Sequence, residues 1–498
     1  MDFLSRLFGS RQSNQSLDRH FRKKIKTLEK QLKSDRADEN SQAEAATLEE
    51  LGFLYFDQKM YQAAIESWSE ALRVYLDTND RKSMASAYSN IGTAHRLTDD
   101  VRQAAKFYSK ALLLDREFHS GAGEMASLHN LAGAYLQLGE YDNALEKYTE
   151  ALDIARTSNL ESWLGITCYR IGLNCQYKLD YTEAHRFFSE SLRMAETSNR
   201  LDMMTLSIFG MGQCYDILSD YKQALLCYAD ALAGARNLQD RHLEHTILIA
   251  YANLMIHLGQ TEQSRDLVRQ AIEIAQDTDI SPIDRIEQLL IRARIFNVQG
   301  MLEKAVRCLD DAETLSMPLP NLIYLAQILH RRAELENENG RYENAHELMR
   351  RMIGYFAEGR SPLVDLESNL LLGQIYRKLR QEDQAVDARE KAVSIADSLG
   401  YPRFLWRTYH ALGRLYHSQQ RIQEAGEAYE TAMRWIHFAA ANLDMAQRLA
   451  FLESKDRLQV FQDAVVLLLA TGHKEEAIRI LKSLNIDSLN RKVQHMLS

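Results

Sequence analysis

The sequence predicts an all-α chain in which about ten helical hairpins stack into a right-handed superhelix with helical caps at both ends. Two observations support this fold class. Residues that break helices are scarce, with 5 Pro and 22 Gly among 498 residues. A small residue also returns at a nearly constant interval, first at Ala64, Ala104 and Ala144, along most of the chain. A fixed interval of this kind is typical of stacked repeats, in which each hairpin buries its apolar faces against its neighbours.

Each repeat is anchored by a small side chain early in its second helix. The anchors are Ala64, Ala104, Ala144, Ala184, Ala224, Ser264, Ala305, Ala345, Ala385 and Ala425. Twelve residues earlier lies a packing residue that is always Gly or Ala: Gly52, Gly92, Ala132, Gly172, Gly212, Ala252, Ala293, Ala333, Gly373 and Gly413. Aromatic residues follow several anchors, as at Trp68 and Tyr108. We expect the two helices to approach closely at the small residues, with the aromatic rings filling the space beside them.

This spacing of small and aromatic residues resembles the tetratricopeptide repeat over residues 44–440. The usual period of that repeat is about 34 residues, so the longer, forty-residue period here predicts longer helices joined by short polar turns. All five prolines fall in the connections between repeats. Forty-residue repeats are similar to those of the Leu-Gly-Asn family of polarity adaptors, of bacterial peptide-pheromone receptors and of kinesin light chains. The resemblance implies binding of a protein or peptide rather than catalysis.

The N-terminal segment, residues 1–43, differs from the repeats in charge. Residues 1–40 carry ten Lys/Arg and six Asp/Glu, a net charge of +4, so the other residues must carry −13 to give the total of −9. Residues 17–33 predict a basic amphipathic helix with Leu17, Phe21, Ile25, Leu28 and Leu32 on one face. Two interpretations stay open. The helix caps the first repeat, or residues 1–33 dock on a partner or an anionic membrane surface.

The C-terminal segment, residues 441–498, is predicted to form capping helices. The next matching anchor after Ala425 is Ala477, a longer step than the repeat period, and we expect this insertion to lengthen the helices. The apolar run 464–470 would then close the array. Residues 448–477 also resemble the segment that precedes the caspase-like domain of tetratricopeptide–CHAT proteases. That resemblance implies at most the non-catalytic part of a split protease system.

Several functional classes are disfavoured by the sequence. Beyond residue 40 there is no basic region of the kind that nucleic-acid binders show. No apolar run reaches the roughly 18–20 residues that span a bilayer, and the start lacks a signal-peptide pattern, so we expect a cytoplasmic protein. The oligomeric state is left open by the sequence.

No motif for catalysis, a cofactor or a metal is recognisable. His242 and His245 have a spacing that suits a metal, but an exposed helix start is the favoured interpretation. The five cysteines form no CxxC pair and are expected to be buried thiols. There is no phosphate loop, nucleophile elbow or zinc-protease motif. We therefore expect a non-enzymatic chain with no cofactor and no bound metal.

The predicted binding site is a concave groove lined by the first helix of each repeat. Amide and guanidinium groups there can hold the main chain or carboxylates of an extended segment. The candidate residues, all within two positions of the packing residue, are Asn90, Asn130, Arg170, Gln213, Asn253 and Arg294. We expect them to face one continuous channel. The predicted function is a scaffold or adaptor that binds a protein segment, and the alternatives are a peptide-sensing switch or the split-protease subunit.

Overall fold

The computed structural model describes residues 15–118, 121–158, 160–278, 280–318, 322–355 and 361–484. Side chains of these residues are described from residue 21 onward, except at residues 277, 483 and 484. Over these residues the chain folds into α-helices and contains no β-strand. The all-α prediction is confirmed. The chain divides into two compact units, residues 1–178 and residues 179–498, and the boundary falls between the two helices of the fourth repeat.

The first unit contains eight of the described helices. They are α1 (Gln15–Ala37), α2 (Ser41–Asp57), α3 (Tyr61–Thr78), α4 (Arg81–Leu97), α5 (Val101–Glu117), α6 (Gly121–Gln137), α7 (Tyr141–Thr157) and α8 (Glu161–Tyr177). Consecutive helices pack against each other along this unit. The even-numbered helices from α4 to α8 are the first helices of their repeats, and successive ones also contact each other.

The second unit contains the remaining sixteen described helices. They are α9 (Tyr181–Thr197), α10 (Leu201–Leu218), α11 (Tyr221–Asn237), α12 (Arg241–His257), α13 (Thr261–Asp277), α14 (Pro282–Val298), α15 (Leu302–Ser316), α16 (Ile323–Glu338), α17 (Tyr342–Tyr355), α18 (Pro362–Lys378), α19 (Glu382–Leu399), α20 (Pro402–Ser418), α21 (Ile422–Ala440), α22 (Met445–Glu453), α23 (Lys455–Ala470) and α24 (Lys474–Leu484). From α10 to α18 the first helices of successive repeats contact each other and form one inner wall.

The helix ends follow from local sequence signals. Aspartates precede several helices and accept a hydrogen bond from a backbone N–H of the first turn, as Asp100 does from Gln103. Pro282, Pro362 and Pro402 are each the first residue of a helix, where the missing N–H costs nothing. Helix α3 has 18 residues and α4 has 17, and these lengths are typical of the repeats. The long period therefore does produce long helices joined by short connections.

Within each hairpin the small packing residues lie directly against aromatic rings. A Cβ built on Gly52 would lie 2.5 Å from Cδ1 of Trp68, and one on Gly413 would lie 2.6 Å from the ring of Tyr429. The two aromatic side chains are each 1% exposed. The small residue is thus required because the ring occupies the space of the missing side chain. This confirms the predicted pairing of small and large residues.

The N-terminal helix α1 packs on the first repeat. Phe21 and Ile25 are buried in one core cluster with Leu48 and Trp68, and Leu28 and Leu32 pack against the same cluster. Ion pairs fix its polar side, including Arg36 to Glu44 and Glu70 at 2.6 Å each. The packing supports the capping interpretation. Residues 1–14 and the side chain of Leu17, which were part of the docking alternative, lie outside the described residues.

The C-terminal insertion forms an additional helix. We expected it to lengthen existing helices, but α22 is a separate helix with a capping box at Asp444 and Gln447. The extra helix turns the chain back, so Phe451 and Phe461 are fully buried in the core cluster of the second unit. The apolar run 464–470 belongs to α23, as expected for a closing helix. Residues 485–498 lie outside the described residues.

Candidate binding cavity in the second unit

A cavity of about 430 Å³ opens on the inner wall of the second unit. Most of its lining comes from three positions of the first helix of each repeat: six and three residues before the packing residue, and one residue after it. These spacings of three and four place the positions on one helix face. The lining residues at these positions are Phe209, Gln213, Thr246, Ile249, Asn253, Glu287, Leu290, Arg294, Gln327, His330 and Glu367.

Three of the six predicted site residues meet in this cavity. Gln213, Asn253 and Arg294 are the residues that follow the packing position in three successive repeats, and all three line the wall. The guanidinium of Arg294 donates a hydrogen bond to Oδ1 of Asn253 across adjacent helices. The three side chains thus lie on one wall of the cavity, and their role in binding a partner stays a prediction.

The other three predicted residues belong to the first unit. Asn90, Asn130 and Arg170 lie on α4, α6 and α8, two positions before the packing residue. They are not lining residues of the cavity, and Arg170 is exposed. A continuous channel that includes them stays a prediction. The positions three and six residues before the packing site were not predicted, although the helical spacing from Gln213 and Asn253 could have indicated them.

Two ion pairs lie at the edge of the cavity, and each has one partner, Arg331 or Glu367, in the lining. Arg331 donates to Glu334 at 2.7 Å, and Arg407 donates to Glu367 at 2.5 Å. Burial disfavours ionisation of Glu334, but the charges of Arg331, His330 and Arg407 and the hydrogen bond from Arg331 together outweigh burial and lower its pKa to about 2. Both carboxylates are therefore charged, and each has its own arginine.

The remaining charged groups give the cavity an excess of hydrogen-bond donors. Burial lowers the pKa of Arg294 to about 9, and the positive charge of Arg331 adds to this. Burial raises the pKa of Glu287 to about 7, assisted by Asp284. At neutral pH Arg294 is charged while Glu287 is partly protonated. An acceptor-rich ligand with a carboxylate fits this balance better than a cation does.

Two groups of residues have side chains of the kind that ligate metals. Ligand atoms of His330, Glu334 and Glu367 lie within 4.8 Å of one another. A divalent cation there would have to displace two arginines, so the geometry favours ion pairing. Of the histidine pair identified in the sequence, His242 is exposed as expected. His245 is fully buried, which corrects the interpretation of both as an exposed helix start.

The first helices of the second unit are joined to its last repeat by a set of contacts that we call the latch. It consists of Leu179, Tyr181, Asp216, Tyr401 and Arg403. Arg403 donates to Asp216 at 2.8 Å, joining α20 to α10. The hydroxyl of Tyr401 donates to the carbonyl of Leu179 at 2.5 Å and accepts from the backbone N–H of Tyr181 at 3.3 Å. The second unit thus closes on itself between residues that are 187 and 222 positions apart in the chain.

The C-terminal cap adds a second closing contact. Arg457 at the start of α23 donates to the carbonyl of His257 at 2.8 Å, at the end of α12. Its guanidinium lies over the rings of Phe451 and Trp406, at 3.7 and 5.4 Å from their centroids. Burial lowers the pKa of Arg457 to about 10. The cap is therefore held to a repeat that lies far earlier in the chain.

Two observations bear on the class of protein. Across the described ranges, no helix combines the length and apolar character that a membrane span requires. Residues 43–117 and 123–197 match a family model described as Tetratricopeptide repeat, and residues 366–398 and 407–436 match a second model of the same description. The chain therefore contains tetratricopeptide repeats in both units.

Sequence relatives cover short parts of the chain. A segment of 136 residues is 32% identical to Protein unc-45 homolog B of Xenopus tropicalis, covering 26% of this chain and 13% of that protein. A segment of 123 residues is 28% identical to the Photosystem I assembly protein Ycf3 of Rippkaea orientalis, covering 22% of this chain and 66% of that protein. The chain thus spans less than two thirds of either relative.

A solved structure with the same fold is that of a Rap protein complexed with Competence and Sporulation Factor. It has a TM-score of 0.53 and 17% sequence identity, and the alignment covers 75% of this chain and 99% of that one. At this identity the similarity shows the fold alone. It agrees with the helical-hairpin architecture described above.

Proposed function

We propose that this chain is a non-enzymatic scaffold or adaptor that binds an extended protein segment in the cavity of the second unit. The observation that carries the proposal is the row formed by Gln213, Asn253 and Arg294 on one wall of a cavity of about 430 Å³. Tetratricopeptide repeats commonly bind protein partners, and their presence here supports this class of function.

The polar row has the chemistry to hold a peptide main chain. Gln213 and Asn253 offer both amide donors and carbonyl acceptors, and Arg294 offers donors only. Phe209 and Leu290 lie beside them on the same wall and supply apolar contacts for side chains. Repeated polar groups beside apolar side chains suit an extended segment, which offers main-chain hydrogen bonds and apolar side chains in alternation. The guanidinium of Arg294 favours a segment with an acidic residue or a terminal carboxylate.

A peptide-sensing switch is the second candidate, and the latch favours it. Since the latch joins α10 to α20, and α10 also lines the cavity, a ligand that displaces α10 would act on the Arg403–Asp216 pair. The Rap protein of similar fold was solved in complex with Competence and Sporulation Factor. The Leu-Gly-Asn resemblance and the CHAT-type split-protease alternative stay predictions that rest on sequence resemblance.

The test is selection of peptides from a display library on the full chain, followed by titration of the selected peptides. Arg294→Leu should weaken them about ten- to a hundredfold, since one charged hydrogen bond contributes roughly 1.5–3 kcal/mol. Arg269→Leu is a matched control, because Arg269 is exposed on α13 outside the cavity. The selected peptides should bind Arg269→Leu with the same affinity as the wild-type chain.

The double variant Arg170→Glu with Asn130→Ala tests the groove predicted in the first unit. If selected peptides bind Arg294→Leu normally but lose affinity for this double variant, the site lies in the first unit and the proposal is wrong. Circular dichroism of each variant checks that the fold is retained.

A further inference from the structure

The ninth repeat carries an arginine at a core position where every other repeat carries an aromatic or aliphatic side chain. Four residues after the anchor stand Trp68, Tyr108, Tyr148, Phe188, Tyr228 and Tyr429 in other repeats, and Arg389 in this one. Arg389 packs under Gly373 as the rings do, since a Cβ on Gly373 would lie 2.6 Å from its Nε. The side chain is 6% exposed, so a cation occupies a core position.

The guanidinium of Arg389 lacks a counter-ion among the residues described. Its Nη1 is buried and makes no hydrogen bond. The charged groups that affect it are Arg377 and Arg414, and together with burial they lower its pKa to about 9. Removing a charge from water without a partner is costly, and like charges add to the cost. Such an unpartnered group requires an explanation, of which an ion is one.

Arg389 lines a second cavity, separate in most of its lining from the one described above. This cavity has a volume of about 230 Å³, and Arg377, Arg414, Gln374 and Trp406 line it together with Arg389. It is large enough for a tetrahedral oxyanion with some water. Nε1 of Trp406 is likewise buried without a partner, and an indole N–H can only donate.

The carboxylates nearest to the three arginines act on Arg377 and Arg414 rather than on Arg389. Asp463 lies 3.6 Å from Arg414, but it is already held by His410 at 2.9 Å and by Gln459 at 2.6 Å. Exposed Glu382 acts on Arg377. Both carboxylates act on the neighbours of Arg389, and neither acts on Arg389 itself.

The other carboxylates that line the cavity have partners of their own. Those of Glu334 and Glu367 are paired with Arg331 and Arg407. The carboxylate of Glu338 accepts a hydrogen bond from the amide of Asn297 at 2.8 Å. The carboxylate of Asp456 acts on the guanidinium groups of Arg407 and Arg457. The lining as a whole therefore has four arginines and four carboxylates, since the amide that contacts Glu338 is neutral. The shortage of acceptors is local to Arg389, on which no carboxylate acts.

We propose that the cavity around Arg389 is a binding site for an oxyanion, a phosphoryl or carboxylate group, held by Arg377, Arg389 and Arg414. The group supplies the acceptor that Nη1 of Arg389 lacks, and its negative charge offsets the repulsion among the three guanidinium groups. Arg389 occupies a core position of a second helix, whereas Arg377 and Arg414 lie on the first helices α18 and α20, and none of the three lines the larger cavity. It stands independently of peptide binding in the larger cavity.

The experiment measures anion binding to the full chain by calorimetry and by the thermal unfolding midpoint, at constant ionic strength set with chloride. Inorganic phosphate, phenyl phosphate and acetate are the three probes. Stabilisation by both phosphates assigns a phosphoryl site open to larger molecules, inorganic phosphate alone assigns a site for the free ion, and acetate alone assigns a carboxylate site. If no probe exceeds chloride in the wild-type protein, the proposal is overturned and water satisfies Arg389.

Arg389→Met tests the residue itself. It should weaken the bound anion at least about tenfold. It should also raise the unfolding midpoint in chloride, because an uncompensated buried charge is removed. A purely structural arginine predicts the opposite, a lower midpoint and unchanged anion binding. Lys391→Met is the control, since Lys391 lies on the same helix with its side chain 60% exposed.

A second variant keeps the test decisive if Arg389→Met does not fold. Arg414 is 43% exposed, so Arg414→Gln should fold normally. It should weaken anion binding about tenfold, since it removes a second guanidinium from the same cavity. Unchanged binding of the anion in Arg414→Gln would remove this cavity as the site.

Discussion

Replacement of Gly52 by alanine tests the packing rule that defines the repeat. The added Cβ would lie 2.5 Å from Cδ1 and 2.7 Å from Cε2 of Trp68, whereas carbon atoms in contact are normally about 3.5–4.0 Å apart. The ring would therefore have to move by about 1 Å. Trp68 is 1% exposed and lies against Phe53 and Phe56, with centroid distances of 5.4 and 5.6 Å, so it has little room.

The expected change in the free energy of unfolding is the sum of two opposed effects. Overpacking a core typically costs about 1–3 kcal/mol. Alanine in a helix interior gains roughly 0.5–1 kcal/mol over glycine. We expect a net loss of about 0.5–2 kcal/mol in the free energy of unfolding, measured by urea denaturation followed by circular dichroism and tryptophan fluorescence.

Gly133→Ala is the matched control within the same unit. Gly133 lies inside α6, and the nearest atom to its added Cβ is the Tyr148 hydroxyl oxygen at 4.0 Å. Only the preference of a helix for alanine over glycine applies there, so the free energy of unfolding of this variant should rise by about 0.5–1 kcal/mol. If Gly52→Ala is as stabilising as Gly133→Ala, close approach to the ring is not what requires glycine in the repeat.

Three further predictions concern the latch, the cavity and the N-terminal helix. Arg403→Met should lower the free energy of unfolding of the second unit by about 3 kcal/mol, because it leaves buried Asp216 unpaired; equal urea midpoints would contradict a structural latch. Burial raises the pKa of Glu287 from 4.5 to about 7, so the folded state retains a proton in this range and stability should fall as pH rises from about 4.5 to 7, then level off. Urea titrations at several pH values measure this dependence, and in Glu287→Gln the free energy of unfolding should change less with pH between about 4.5 and 7. An unchanged pH dependence in the variant would show that other groups cause it. Deleting residues 1–40 should lower stability, because it uncovers Leu48 and its neighbours, and neither form should bind anionic vesicles; vesicle binding by the full chain alone would favour the docking interpretation.

Much of the fold was predictable from local spacing. The Gly and Ala positions mark where two helices must approach, and the ring positions mark what fills the gap, as Gly413 and Tyr429 show. Prolines and aspartates set the helix starts, because their effect depends only on the adjacent turn. The same periodicity placed Gln213, Asn253 and Arg294 on one face.

One departure from the repeat pattern also carries information, because it marks the proposed anion site. Arg389 is the one charged residue at this position of the ten repeats and is visible in the sequence, but its role depends on the groups that surround it. A buried arginine with an acidic neighbour is an ordinary ion pair, and only the placement of Arg377 and Arg414 shows that Arg389 has none. Sequence spacing does not report the charge around a side chain.

The sequence by itself determined the helices, the hairpins and the inner face, since each depends on residues within one repeat period. Tertiary structure alone decided the closure of the second unit through Asp216 and Arg403, and the return of α23 onto His257. The physical reason is that each repeat adds a small rotation to the last. Whether residues in distant repeats meet depends on the sum of these rotations, and no single repeat contains that information.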